Sequence, residues 1–179
     1  MANKIKFGIS SVYYALKTSS GYDTPVALPG AVSLALSPEG ERTNFAADNN
    51  NDYYATNANN GYSGSLELAY LDDTARQALL GEILDATSKN LYEQESGAEA
   101  PVFALGFKVE GDDEPIYFWF YHVTASRPQV NAQTKAENIE PGTDTLDIVC
   151  GKDDDGYVRV KSTPASTTTS WFSTVVAHP

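Results

Sequence analysis

Ile116-Tyr-Phe-Trp-Phe-Tyr-His-Val123 is the stretch that decides the fold. It carries no formal charge apart from His122, and it has no polar alternation. A strand with one wet face alternates apolar and polar residues, whereas a strand apolar on both sides is covered on both. One face of Ile116–Val123 therefore meets a core. The other meets a helix, a further layer of the chain, or another subunit. The segment just before it, Phe103-Ala-Leu-Gly-Phe-Lys-Val109, alternates cleanly, with Phe103, Leu105, Phe107 and Val109 on one side. Gly111-Asp112-Asp113 separates the two and predicts a hairpin turn.

Other stretches repeat the period of two. Val12, Tyr14 and Leu16 share a face, as do Val32, Leu34 and Leu36, and Leu66, Leu68 and Tyr70. Leu146, Ile148 and Cys150 form a further set, and the short run Tyr157–Lys161 is read with Val158 and Val160 on one side and Arg159 opposite. Pro141-Gly142 and Asp155-Gly156 supply turns. One helix is predicted from Asp72 to about Leu84. Asp72 is a good N-cap, and Ala75, Leu79 and Ile83 fall on one stripe. In the tail, Trp171, Phe172, Val175 and Val176 suit a short helix or a strand almost equally. Many short strands around one helix predict a mainly β chain: an antiparallel β-sandwich or partly closed barrel with a flanking helix. The domain is read as residues 1–161, with 162–179 a tail that packs on a neighbour.

Residues 39–60 break the pattern. They hold seven asparagines and few large aliphatics, yet they include Phe45, Tyr53 and Tyr54. They lie between two good strands. A loop of this length is usually functional or disordered. The aromatics favour a long two-stranded arm that packs on something.

The chain has 179 residues, 12 Lys and Arg against 24 Asp and Glu, and a net charge of −12. Such a balance argues against gripping nucleic-acid phosphates or anionic lipid. The lone Cys150 excludes an internal disulfide, and two histidines give little for a metal site. No signal peptide is visible and no apolar run is long enough to cross a bilayer. The chain is expected to be made in a cytoplasm.

No catalytic constellation emerges. Gly61-Tyr-Ser-Gly-Ser65 lacks the final glycine of a nucleophile elbow. Asp153-Asp-Asp-Gly156 fits a hairpin turn better than a calcium loop, because Gly151 and Ser162 stand where ligands are needed. Cys150 lies on an apolar strand face, as an inert thiol does. No enzyme activity, cofactor or metal is expected.

Three blocks together carry a resemblance: Pro29-Gly-Ala-Val-Ser-Leu-Ala-Leu-Ser-Pro-Glu-Gly-Glu41, then Asn60-Gly-Tyr-Ser-Gly-Ser-Leu-Glu-Leu-Ala69 running into the Asp72 helix, then Thr124-Ala-Ser-Arg-Pro128 through Lys135-Ala-Glu-Asn-Ile-Glu-Pro-Gly-Thr-Asp-Thr-Leu-Asp-Ile148. In order and spacing, over roughly residues 8–161, the chain resembles the major tail proteins of long-tailed, non-contractile bacteriophages and prophages, mostly of Gram-positive hosts. The resemblance implies a structural virion subunit without enzymatic activity. It implies rings of six that stack into a tail tube conducting DNA during ejection. It implies a tape measure protein, a tail terminator and distal tail or baseplate proteins as partners, with DNA passing unbound and no membrane involved.

On that reading Arg42, Phe45, Asp48, Tyr53, Tyr54, Phe118 and Trp119 are expected at subunit or ring interfaces. Glu67 and Asp147, on the non-core sides of their strands, are expected to face the lumen. The competing expectation is a monomeric β-sandwich that binds glycans on the Tyr117, Trp119, Tyr121 row.

Overall fold

The computed structural model describes residues 5–94, 100–111, 114–132, 134, 141–163 and 165–179. The strands run β1 (Lys6–Thr18), β2 (Gly21–Tyr22), β3 (Val26–Ala27), β4 (Ala31–Glu39), β5 (Arg42–Ala47), β6 (Asn50–Asn57) and β7 (Gly61–Leu68). The helix α1 (Asp73–Leu80) follows. Then come β8 (Ile83–Leu84), β9 (Leu91–Tyr92), β10 (Phe103–Gly111), β11 (Ile116–Ala125), β12 (Asp144–Gly151) and β13 (Arg159–Lys161). The fold is mainly β and antiparallel. A nine-stranded sheet has the order β2-β1-β10-β11-β12-β7-β4, with β13 paired to β11 and β3 to β1. The sheet does not close into a barrel. Residues 112 and 113 of the expected hairpin turn, and residues 135–140 of the third block of resemblance, lie outside the described residues.

The sheet buries one face throughout. Val12 and Tyr14 from β1, Phe103, Leu105 and Phe107 from β10, Phe120 and Val123 from β11, Leu66 and Leu68 from β7, and Leu146, Ile148 and Cys150 from β12 form one core. Leu71 and the helix residues Ala75 and Leu79 join the same core. The period-two sets of the sequence thus supply most of it. Three details depart from them. Val32 is half exposed, because a register irregularity between Ala31 and Ser33 turns Ala31, not Val32, towards the core. Tyr70 is exposed, because β7 ends at Leu68. Val158 lies on the main core while Val160 lies on the opposite face of the sheet, so the two valines do not share a side.

The helix begins where expected: the Asp72 carboxylate accepts from the Ala75 N–H at 2.7 Å. It stops earlier than expected. Gly81 adopts the left-handed conformation, and its N–H donates to the Gln77 carbonyl. That cap ends the helix at Leu80. Ile83 and Leu84 instead pair with Tyr92 and Leu91 in a small two-stranded ladder.

The two halves of the sheet differ on their second face. Over β12, β7 and β4 that face is mostly polar, with Ser33, Ser37, Ser63, Ser65, Glu67, Thr145 and Asp147 alternating against core residues and Ala35 and the exposed Val149 among them. Over β1, β10 and β11 it is covered by the chain's own residues 165–179. Ala15, Ala104 and Trp119 form a second buried cluster with Trp171, bordered by Tyr13, Tyr117, Phe172, Val175 and Val176. This covering segment is neither helix nor strand but a series of turns. It is held by specific contacts. Phe172 stacks on Tyr13 at 4.6 Å between ring centroids, and the Tyr121 hydroxyl donates to the Val176 carbonyl at 3.0 Å. His178 stacks on Tyr157, with its Nε2 3.2 Å from a carboxylate oxygen of Asp153.

Candidate assembly surfaces

Between β4 and β7 the chain leaves the sheet. The pairing of Glu39 with Gly61 continues through Ala58 and Asn60, whose N–H groups donate to the carbonyls of Glu41 and Glu39. It then becomes the β5–β6 ladder, from Arg42 opposite Asn57 to Phe45 opposite Tyr54. The tip turns at Asp48 and Asn49, both with φ near +50 to +60° (51° and 57°). Two consecutive left-handed residues make the turn whose twist suits a two-residue hairpin, and Asp and Asn tolerate it better than most. The expected arm is therefore a β-hairpin that prolongs the β4–β7 pair.

The arm has almost no internal burial. Phe45, Tyr53 and Tyr54 are each about 60% exposed (62%, 60% and 63%). Its internal restraints among the described residues are the ladder, the Arg42 guanidinium that grips both oxygens of Asp52 at 2.9 and 2.7 Å, a bond from Arg42 to Asn44, and the Asp52 N–H donating to the Asn50 side-chain oxygen at 3.0 Å. Both members of that ion pair are about half exposed, so the pair stabilises by at most about 1 kcal/mol. An isolated two-stranded hairpin is marginal in water. Arg42, Phe45, Asp48, Tyr53 and Tyr54, expected at an interface, are thus brought together on one exposed projection.

Phe118 and Trp119 do not join them. Adjacent residues of a strand point to opposite faces. Phe118 faces the main core and stacks on Phe107 at 5.1 Å. Trp119 is completely buried on the other side, beneath Trp171 and Phe172. The second apolar face of Ile116–Val123 is satisfied within the chain, which removes Trp119 from any surface that a neighbour could touch. The same cover closes the Tyr117, Trp119, Tyr121 row, since Trp119 and Tyr121 are both buried. The tail expected to pack on a neighbour packs on its own sheet.

Glu67 and Asp147 lie on the polar face, on adjacent strands, where Glu67 is opposite Thr145 and Asp147 opposite Ser65. Glu67 accepts hydrogen bonds from the hydroxyls of Thr143 and Ser33, each at 2.8 Å. These two bonds, that of Thr143 foremost, hold its carboxyl below the usual glutamate range. No Lys or Arg occurs in β4, β7 or β12. Arg127, at the border of this face, lines one hollow with Thr145 and Asp147 and pairs with Glu93 at 2.9 Å and with the Gln94 carbonyl.

Two features have no counterpart among the expectations from sequence. The covering segment is one. The other is Arg159, whose guanidinium lies over the rings of Tyr62 and Phe118, 5.4 and 5.7 Å from their centroids. Cys150 is fully buried and its thiol is pushed up to about 12 by burial, so it is no nucleophile. Among the described residues no group of three or more His, Cys, Asp or Glu could hold a metal. No helix of the described residues is long and apolar enough to cross a membrane.

No protein-family model matches the chain, and comparison with curated proteins gives no match.

Proposed function

We propose that the chain is a structural, self-assembling subunit of a phage tail tube, in which stacked rings, expected to be hexameric, enclose a passage for DNA. The observation that carries this reading is the arm. A hairpin with three large aromatics more than half exposed gains its stability from burial against another surface. It continues the β4–β7 pair as a separate two-stranded ladder whose residues are almost all exposed, so a second copy is the natural partner. The polar face supports the same reading. It presents hydroxyls and the carboxylates of Glu67 and Asp147 without a strand cation, and fixed negative charge repels phosphate. A wall of this kind lets DNA slide. The proposal places the protein in the virion, with tape measure, terminator and baseplate proteins at the ends of the tube, and gives it no catalytic role.

Deleting residues 43–57 and closing the gap with a short glycine turn tests the proposal. A shorter loop costs little stability, so the product should be a folded monomer that forms neither rings nor tubes in electron micrographs at concentrations where the intact chain does. Tubes from the shortened chain would refute it.

A further inference from the structure

We infer that the surface receiving the arm is the Arg159 clamp of a second copy, with Asp48 at the arm's tip as the carboxylate that lands there. The inference rests on the self-assembly reading and adds the contact through which it acts.

Arg159 and Lys161 are both exposed, two residues apart in one strand, and so project to the same side. Neither makes an ion pair among the described residues. Lys17, Arg42, Arg76, Lys108 and Arg127 each have a carboxylate. On a chain of net charge −12 this is a local cationic spot. Arg159 is also pre-positioned. Its guanidinium lies over the rings of Tyr62 and Phe118, which orients its planar fork for contact with a carboxylate.

The arm supplies the complement. Between residues 39 and 60 it has four carboxylates, Glu39, Glu41, Asp48 and Asp52, against one guanidinium. Asp52 is engaged by Arg42, and Glu39 accepts from the Ser63 hydroxyl near the root. Asp48 is exposed at the tip, with no ion pair among the described residues.

Geometry then excludes the contact within one copy. Tyr62, under Arg159, directly follows Gly61, where the arm is rooted. From Arg42 to Ala47 the ladder has six residues, or about 20 Å at roughly 3.3 Å each. Paired from Arg42–Asn57 at the root to Ala47–Asn50 at the tip, the ladder holds its tip that far from its own root. Tip and root can meet only between copies, and a tip-to-root contact is head-to-tail. Contacts of that kind repeat into closed rings or open filaments rather than stopping at a dimer.

The test uses charge reversal in the full chain, with the assembly threshold read by light scattering and electron microscopy at low salt. Asp48→Lys and Arg159→Glu should each raise the threshold about tenfold, since each turns attraction into repulsion at every repeat of the contact. Lys161→Glu should raise it less, in the same direction. The double variant Asp48→Lys/Arg159→Glu restores the pair with reversed polarity and should return to within about twofold of the original threshold. Melting temperatures identify any variant that fails by misfolding. If Arg159→Glu unfolds, Asp48→Lys in a chain carrying Lys161→Glu replaces the double variant, and the repulsion relieved there should lower the threshold below that of either single change. A threshold unmoved by Asp48→Lys, or a folded compensating variant without recovery, would overturn the contact while leaving self-assembly standing. An intact chain that stays monomeric at every concentration and salt would overturn both.

Discussion

The indole N–H of Trp119 donates to the main-chain carbonyl of Trp171, 3.0 Å away and 52 residues on in the sequence. This bond ties the centre of the most apolar strand to the segment that covers it. Both partners are buried, so the bond is out of competition with water, and losing it leaves an indole donor unsatisfied at a cost of about 1–3 kcal/mol.

Trp171→Ala should therefore act as a core truncation. Loss of the ring leaves a cavity over Trp119 and should cost about 3–5 kcal/mol in denaturant unfolding. Trp119 should become accessible to acrylamide quenching. A loss below about 1 kcal/mol would mean that the segment is only loosely docked.

Gly106→Ala should also be damaging, for a different reason. Gly106 pairs with Trp119 across β10 and β11, and a Cβ placed there would stand 2.8 Å from the indole ring. Overpacking against a ring held on both sides should cost about 1–3 kcal/mol or more, visible as a lowered melting temperature.

The Glu67 clamp sets an acid limb. Its folded pKa is depressed, so its contribution is present above the unfolded value, near 4.5, and is lost as pH falls through the folded value. Glu67→Gln should lower stability slightly at neutral pH, where that contribution is present, and flatten the fall in stability as pH drops through the acid range, so that the two chains converge below it. Thr143→Val should act in the same direction, by removing the larger of the two bonds.

On the tube reading, Glu67→Lys combined with Asp147→Lys should spare assembly and change the passage. Each new cation adds phosphate contacts and counterion release. The altered tubes should retain short DNA at low salt and release it at high salt, and phage carrying them should eject more slowly. Tubes that show no salt-dependent retention would place the two carboxylates elsewhere than on the wall.

Cys150 offers a local clock for opening of the sheet. With its thiol pushed up to about 12 and no exposed surface, it should resist thiol reagents at pH 8 in the folded protein and react at once in urea.

The alternation of Phe103, Leu105 and Phe107, and of Leu146, Ile148 and Cys150, makes the core legible in the sequence. Side chains on a strand have only two directions, so period alone assigns them. Val32 escapes that logic because a single register irregularity reverses direction from that point, and nothing in Ala31-Val32-Ser33 announces it. The apolar stripe through Ile83 overruns the helix at Gly81, whose left-handed cap is the signal that outweighs it. The arm is legible from its aromatics and its place between two strands, and Asp48-Asn49 is what makes it a hairpin. Trp119 defeats the pattern because apolarity says that a face is covered but not by which part of the chain. A cover without regular structure, such as residues 165–179, leaves no periodicity to find. Arg159 is hidden for a similar reason: its neighbours Tyr62 and Phe118 are distant in sequence.

The covering segment follows every strand in chain order. While a ribosome extends the chain, β1, β10 and β11 can pair and gather the main core before residues 165–179 emerge. In that interval Tyr117, Trp119 and Tyr121 form an open aromatic face on the strands already paired. Nascent chains crowded on one messenger would meet through such faces, and chaperones bind them. A chain truncated after Lys161 should therefore expose this face and be insoluble instead of slow-folding.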